Sequence, residues 1–150
     1  MARPIGDTAE ARKQVHINLR KAFSLINKSI NDEIYIAAYV TAFSIIEDRV
    51  FSMYVVAKRV ETGEIAITKN PRDVMMKYIN YLEKKKTIPL ATAKKIEAEI
   101  KARNSLLHGA MWRLDEFDKE MADRALNLAK ELNALRTAQR KEIGIGYKVD

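Results

Sequence analysis

Apolar side chains return every three or four positions along most of this chain, which is the spacing of one buried face of an α-helix. Polar capping residues, glycines and prolines divide the pattern into segments. The pattern predicts helices that begin near residues 7–8, 31–32, 70, 90–92 and 115. Four of these segments are long and one is shorter, so we expect an all-α, up-and-down bundle of four to five helices.

The composition agrees with a single folded domain that spans residues 1–150. Hydrophobic residues make up 47% of the chain, while glycine and proline contribute only 5 and 3 residues, so a core of ordinary size can form. We expect residues 1–6 and 142–150 to be flexible and residues 64–68 to form a short extended piece. No apolar stretch is long enough for a signal peptide or a membrane span, which predicts a cytoplasmic protein without a membrane partner.

Two charged residues stand on stripes that are otherwise apolar. Glu47 occupies the position between Phe43 and Val50 in the predicted second helix, and Arg103 precedes Leu107 on the apolar side of the fourth. Burial of a charged side chain is unfavourable unless a partner compensates it. Glu47 therefore either tilts towards solvent or meets a cation from another helix. Arg103 is either paired, in a groove, or at the face of a partner subunit.

The net charge of +7 is concentrated in one part of the sequence. Residues 72–103 contain nine basic and four acidic side chains and so carry +5 of that charge. A positive field of this kind attracts a polyanion such as RNA, and Lys94, Lys95 and Lys101 are the candidate RNA contacts. The alternative is a solvated helical face. In the fourth helix, we expect Lys95 and Glu99 to lie opposite the apolar stripe.

The predicted fourth helix ends in a cluster of residue types suited to RNA cleavage. The imidazole of His108 can transfer protons near neutral pH, and the planar fork of Arg103 matches phosphate oxygens. Asn104 lies four residues before His108, hence on the same side of a continuous helix, where it could orient the imidazole or bind substrate. Ser105 would support this cluster through a local bond to the backbone. Arg103 and His108 lie about 140° apart on an ideal helix, so an irregularity before Gly109 would help them converge.

The sequence contains few side chains of the types that bind metal ions. There is no cysteine, and His16 and His108 are the only histidines. His16 lies on the predicted first helix without a catalytic constellation around it, and we assign it no role. Neither a phosphate-binding glycine loop nor a glycine-flanked nucleophile elbow occurs. We therefore predict no metal and no cofactor.

The run Arg103-Asn104-x-x-x-His108 resembles the R-x4-6-H motif of the HEPN superfamily, in which a polar residue, often asparagine, follows the arginine. The apolar second helix, with Glu47 in it, also resembles that family. The resemblance implies a helical bundle over roughly residues 30–140 and a metal-independent endoribonuclease. His108 would then be the general acid and base, and Arg103 would stabilise the scissile phosphate. Asn104 would position these groups, and Glu47 would support Arg103.

The same resemblance implies a homodimer in which two copies of the motif form a composite active site. Attack by the RNA 2′-OH would leave 2′,3′-cyclic phosphate and 5′-hydroxyl ends. An antitoxin or other regulatory protein is an implied partner, in a toxin, phage or defence setting. Some members carry a tyrosine two residues after the histidine, which a partner nucleotidyltransferase modifies. This chain has Ala110 there, which argues against that mode of regulation.

Two other functions remain open from the sequence. In the first, a non-catalytic helical module binds nucleic acid, a nucleotide or a protein partner through residues 72–103, and Arg103 merely pairs with Glu47. In the second, the chain is a structural dimeric bundle in which Trp112 and the tyrosines belong to the core or to an interface.

Overall fold

The structure is a computed structural model that describes residues 9–63, 75–109 and 112–143. Within these ranges it contains five α-helices, a 3₁₀ turn and no β-strand. The helices are α1 (Ala9–Asn31), α2 (Tyr35–Thr62), α3 (Met75–Lys84), α4 (Leu90–Leu107) and α5 (Lys119–Ile143), and the 3₁₀ turn is at Leu114–Glu116. The all-α fold predicted from the apolar periodicity is therefore confirmed.

Several predictions concern residues outside the described ranges. They are the leader at residues 1–6, the first helix start at 7–8, the extended piece at 64–68, the third helix start at 70, Ala110 and most of the tail at 142–150. In the part of the chain that the structure does describe, no helix combines the length and the apolar character needed to cross a bilayer.

α2 is the central helix of the fold. It packs along α5, α1 and α3, and its buried side chains include Tyr39, Phe43, Ile46 and Met53. A helix that is apolar around most of its circumference is stable only when other helices cover it. Complete burial of one such large apolar side chain contributes roughly 1.5–3 kcal/mol. The packing on α2 therefore fixes where the surrounding helices lie.

The turn between α1 and α2 shows that the predicted start of the second helix at residues 31–32 was wrong. α1 runs through Asn31, and the chain then turns at Glu33, which has a left-handed backbone with φ 59°. The backbone N–H of Ile34 donates to the carbonyl of Ser29 over 2.7 Å. The polar residues that look like a helix cap in the sequence thus close the preceding helix instead.

The last helix also begins later than predicted. Asp115, which was expected to cap the start of the last helix, lies in the 3₁₀ turn, and α5 starts at Lys119. The side chain of Asp118 accepts a hydrogen bond from the backbone N–H of Met121 over 2.9 Å, which is the geometry of a helix N-cap. Both aspartates precede the same apolar run, so the sequence pattern alone did not distinguish them.

α4 lies beside α3 and α5 and is less deeply buried than α2. Its buried residues are Thr92, Ala93, Ile96, Glu99 and Leu106. The Oγ1 atom of Thr92 donates to Oε1 of Glu131 on α5 over 2.6 Å. Polar contacts therefore contribute to the position of α4, and the C-terminal half of this helix carries Arg103 and Asn104.

Candidate functional site

Arg103 reaches from α4 to α2, where two side chains hold its guanidinium group. Its Cζ atom lies 4.8 Å from the centroid of the Phe43 ring, and its Nη2 atom lies 3.8 Å from Oε1 of Glu47. The side chains of Arg103 and Glu47 are 19% and 15% exposed, so water screens their attraction only in part. The fold thus brings together the two charged residues that interrupt apolar stripes in the sequence.

A small surface pocket of about 190 Å³ lies beside this pair. It is lined by side chains of α2 and α4, namely Tyr39, Val40, Phe43, Ser44, Glu47, Arg103 and Leu107. Pockets that enclose a whole small molecule usually measure roughly 300–1,000 Å³. One copy of the chain therefore offers room for one group of a ligand, such as a phosphate, rather than for an entire nucleotide.

Asn104 lies next to Arg103 in space as well as in sequence. The Nη1 atom of Arg103 lies 3.4 Å from Oδ1 of Asn104, a long hydrogen bond in which the guanidinium donates. Asn104 is exposed, so its amide group remains accessible to a ligand. Together with Phe43 and Glu47, this contact fixes the orientation of the guanidinium at the edge of the pocket.

His108 is the C-terminal capping residue of α4, so the helix does not continue beyond it. α4 ends at Leu107, and His108 has an extended backbone with φ −73° and ψ 99°. Gly109 follows in the left-handed region at φ 84°. His108 is exposed, and it is not among the described residues that line the pocket. The backbone leaves the helical path only at the ψ angle of His108, so it is the residues after His108 that depart from the helix.

Ser105 connects the end of α4 to the segment that follows it. Its carbonyl oxygen accepts a hydrogen bond from Nη1 of Arg113 over 2.7 Å, and its Oγ atom lies 3.4 Å from the same nitrogen. Arg113 also donates to Oε2 of Glu116 from Nε at 3.0 Å and from Nη2 at 2.7 Å. Hydrogen bonding to Glu116 raises the pKa of Arg113. Arg113 was not predicted as a site residue. Its hydrogen bonds connect Ser105, which precedes His108, with Glu116, which follows it.

The three lysines predicted to contact RNA are all exposed on α4. Two of them already take part in ion pairs. Lys95 Nζ lies 3.2 Å from a carboxylate oxygen of Glu131, and Lys101 Nζ lies 3.3 Å from one of Glu97. Lys94 has no ion-pair partner among the described residues. The positive field along α4 is therefore weaker than the count of basic residues indicates.

A buried polar network lies behind the pocket, and it shows that the prediction of a solvated position for Glu99 was wrong. Glu99 is only 3% exposed. Its Oε2 atom accepts a hydrogen bond from the Tyr39 hydroxyl over 3.0 Å, and its Oε1 atom accepts one from Nε of Arg124 on α5. Because Glu99 lies one helical turn before Arg103, the two belong to the same side of α4. That spacing was the signal in the sequence that could have revealed its burial.

Burial and hydrogen bonding shift the pKa values of two members of this network. Burial, together with the nearby negative charge of Glu99, raises the pKa of Tyr39, so its hydroxyl stays protonated and donates to the carboxylate. The hydrogen bond to Glu99 raises the pKa of Arg124. Tyr39 also lines the pocket, so the hydrogen bonds of the network connect this side of the pocket to α4 and α5.

The described residues contain no group of three or more histidine, cysteine, aspartate or glutamate side chains that could hold a metal ion.

Comparison of the chain with protein-family models, with curated proteins and with solved structures finds no match. The fold and the site define an all-α helical protein with an arginine-bearing surface pocket between two of its helices. The resemblance to the HEPN superfamily therefore rests on the sequence alone.

Proposed function

We propose that this chain is a homodimeric, metal-independent endoribonuclease with a catalytic site formed around Arg103, Asn104 and His108. The observation that supports this most directly is the fixed guanidinium of Arg103 at the edge of a surface pocket. Phe43 and Glu47 hold it on one side, so little side-chain freedom is lost when it binds a phosphate.

RNA supplies its own nucleophile in this reaction. The 2′-oxygen attacks the adjacent phosphorus and gives up its proton, while the bond from phosphorus to the 5′-oxygen breaks and that oxygen takes a proton. The products are a 2′,3′-cyclic phosphate and a 5′-hydroxyl. His108 is the group that moves these protons, because it is exposed at the helix end and an imidazole can act as a general acid and a general base. Arg103 stabilises the charge of the crowded phosphorane, and Asn104 positions the substrate.

A second copy of the chain completes the site in this proposal. His108 does not line the pocket of its own chain, and the pocket holds only part of a nucleotide. In a dimer with two-fold symmetry, each pocket receives the imidazole of the other copy. The cytoplasmic setting and an antitoxin or other regulatory partner belong to the same proposal.

The test begins with purified protein and single-stranded RNA in excess EDTA. We expect cleavage that leaves 2′,3′-cyclic phosphate ends and that is lost in both Arg103→Ala and His108→Ala. The exposed His16 on α1 provides the matched control, because His16→Ala should cleave as the wild type does. Intact RNA with the wild-type protein, or full activity in His108→Ala, would eliminate the proposal.

The composite site has a separate test. Arg103→Ala and His108→Ala are co-expressed with different affinity tags, and the mixed dimers are isolated through both tags. One of the two sites in such a dimer then has an intact arginine and an intact histidine, so cleavage returns. If each site uses residues of one chain only, the mixed dimers stay inactive.

A non-catalytic binding module is the second candidate function. It is favoured by the pairing of Arg103 with Glu47 over 3.8 Å and by the separation of His108 from the pocket. In that case the protein should shift RNA in a gel without cleaving it, with an affinity that falls steeply as salt rises. The shift would be the same for His108→Ala as for the wild type.

A further inference from the structure

Trp112 is the most exposed large hydrophobic residue in the described part of the chain, with 93% of its surface open to solvent. It is also the only tryptophan in the sequence. An indole ring this exposed gains nothing from the core, so the interpretation of Trp112 as a core residue is wrong. Exposed aromatic surface of this kind marks a place where something else binds.

The backbone around Trp112 is anchored on both sides. Its own N–H donates to the carbonyl of Gly109 over 3.0 Å, and Gly109 makes the turn possible through its positive φ of 84°. The next residue, Arg113, is bonded to both Ser105 and Glu116. The ring is therefore presented to solvent from a braced segment, four residues after His108.

The surroundings of Trp112 favour a nucleobase over a protein partner. The centre of a protein interface is depleted of charged residues, whereas His108, Arg113, Asp115 and Glu116 lie close along the chain. Leu114, at 44% exposure, is the large apolar neighbour in this segment. A single flat ring among polar groups is instead the arrangement that stacks on one unpaired base.

Two of the nearby acidic groups are compensated within the chain, whereas the exposed Asp115 has no ion-pair partner among the described residues. Glu116 is paired with Arg113 over 2.7 Å, and Asp118 accepts the N–H of Met121 at the start of α5. The positive end of the α5 dipole compensates Asp118 further.

We propose that Trp112 is a nucleobase subsite, on which an unpaired base of single-stranded RNA stacks next to the phosphate that His108 and Arg103 handle. This inference rests on the proposed function, and it names the feature of the substrate that the site reads. Stacking on an aromatic ring tolerates every base, so the subsite selects unpaired RNA rather than a particular sequence. Paired bases, which are already stacked within the duplex, would not occupy it.

The intrinsic fluorescence of the protein tests the proposal directly, because its only indole is Trp112. The probe is a short single-stranded oligonucleotide of 2′-O-methyl RNA, which lacks the free 2′-OH needed for cleavage. We expect saturable quenching with this probe, and little quenching with a duplex of the same sequence or with an abasic strand of equal length. Quenching that is equal for the abasic strand would overturn the proposal, because phosphate contacts would then suffice.

Variants distinguish the contribution of the indole ring to RNA binding from that of the segment that carries it. Trp112→Ala should weaken binding of a labelled oligonucleotide by about 5- to 150-fold, the loss of one base–aromatic stack, and Trp112→Phe by less. Leu114→Ala is the matched control and should bind normally. Equal losses in Leu114→Ala and Trp112→Ala would contradict the proposal, and so would emission that changes with protein concentration alone, which would place a second copy on the ring.

The same measurements distinguish the failure of the nucleobase subsite from the failure of the proposed nuclease activity. Quenching by the probe in a protein that never cleaves RNA would support the subsite and remove the nuclease. Cleavage without quenching would remove the subsite and leave the nuclease.

Discussion

The hydroxyl of Tyr39 on α2 donates a hydrogen bond to the carboxylate of Glu99 on α4 across 3.0 Å of the protein interior. The same carboxylate is held from α5 by Arg124. Arg103 follows Glu99 by one helical turn, so this contact controls the rotation of α4 that points Arg103 at Phe43 and Glu47. The buried network and the surface pocket are therefore two parts of one arrangement, with Tyr39 as the wall between them.

We expect Tyr39→Phe to lower the free energy of unfolding by about 1–3 kcal/mol, because Glu99 loses a hydrogen-bond donor in a buried position. Urea denaturation followed by circular dichroism measures the change. Tyr35→Phe is the matched control on the same helix, because the Tyr35 hydroxyl makes no hydrogen bond to the described residues. A loss of equal size in both variants would mean that the hydroxyl of Tyr39 contributes nothing specific.

Glu131 should make the stability of the α4–α5 contact depend on pH. Partial burial raises the pKa of Glu131, but hydrogen bonds from Thr92 and Lys95 outweigh it and leave the pKa below the ordinary value of 4.5. A depressed pKa stabilises the fold above the unfolded-state value and loses that contribution as the pH falls through the folded-state value. The stability advantage of wild type over Glu131→Gln should thus be present at neutral pH and shrink below about pH 4.5. Thr92→Val should reduce this pH dependence, and an advantage that grows on acidification would refute the assignment.

The sequence pattern predicted the helices well because burial of one face imposes a periodicity that can be counted. It failed on Glu99, although Glu99 lies one helical turn before Arg103 on the same side of α4, because a carboxylate was not expected in the contact of α4 with α2 and α5. The charge on Glu99 looked like a sign of exposure, but two donors from other helices satisfy it. The donors, Tyr39 and Arg124, are distant from Glu99 in the sequence, so no local pattern predicts these hydrogen bonds.

The end of α4 was harder to predict for a different reason. Asn104 and His108 have the spacing of neighbours on a helix, and only the backbone of His108 shows that the helix has already stopped. Gly109 signalled an end within a residue or two, which is the usual precision of a helix boundary.

Phe43 should matter to activity through the guanidinium that lies over its ring. Phe43→Leu keeps an apolar side chain in the core, so it should cost no more than about 1.5 kcal/mol in stability if the site repacks. It removes the cation–π contact with Arg103, and we expect kcat for RNA cleavage to fall by about tenfold with a smaller change in KM. Phe51→Leu is the control, since Phe51 is buried in the same helix and packs against Tyr78 instead. Equal kcat values in the two variants would show that the ring does not position Arg103.

The lysines of α4 should differ in what they contribute to RNA affinity, although all three are exposed. A lysine that binds a phosphate releases a counterion, and its removal lowers the slope of log Kd against log salt by about 0.7 for single strands. We expect a change of about this size for Lys94→Gln, because Lys94 has no ion-pair partner among the described residues. Lys101→Gln should have a smaller effect, because the carboxylate of Glu97 lies 3.3 Å from its ammonium group. Lys13→Gln on α1 is the control, and filter binding over a range of salt concentrations measures all three slopes. If Lys94→Gln leaves the slope at the wild-type value, the basic face of α4 is a solvated helical surface and RNA approaches the site from another side.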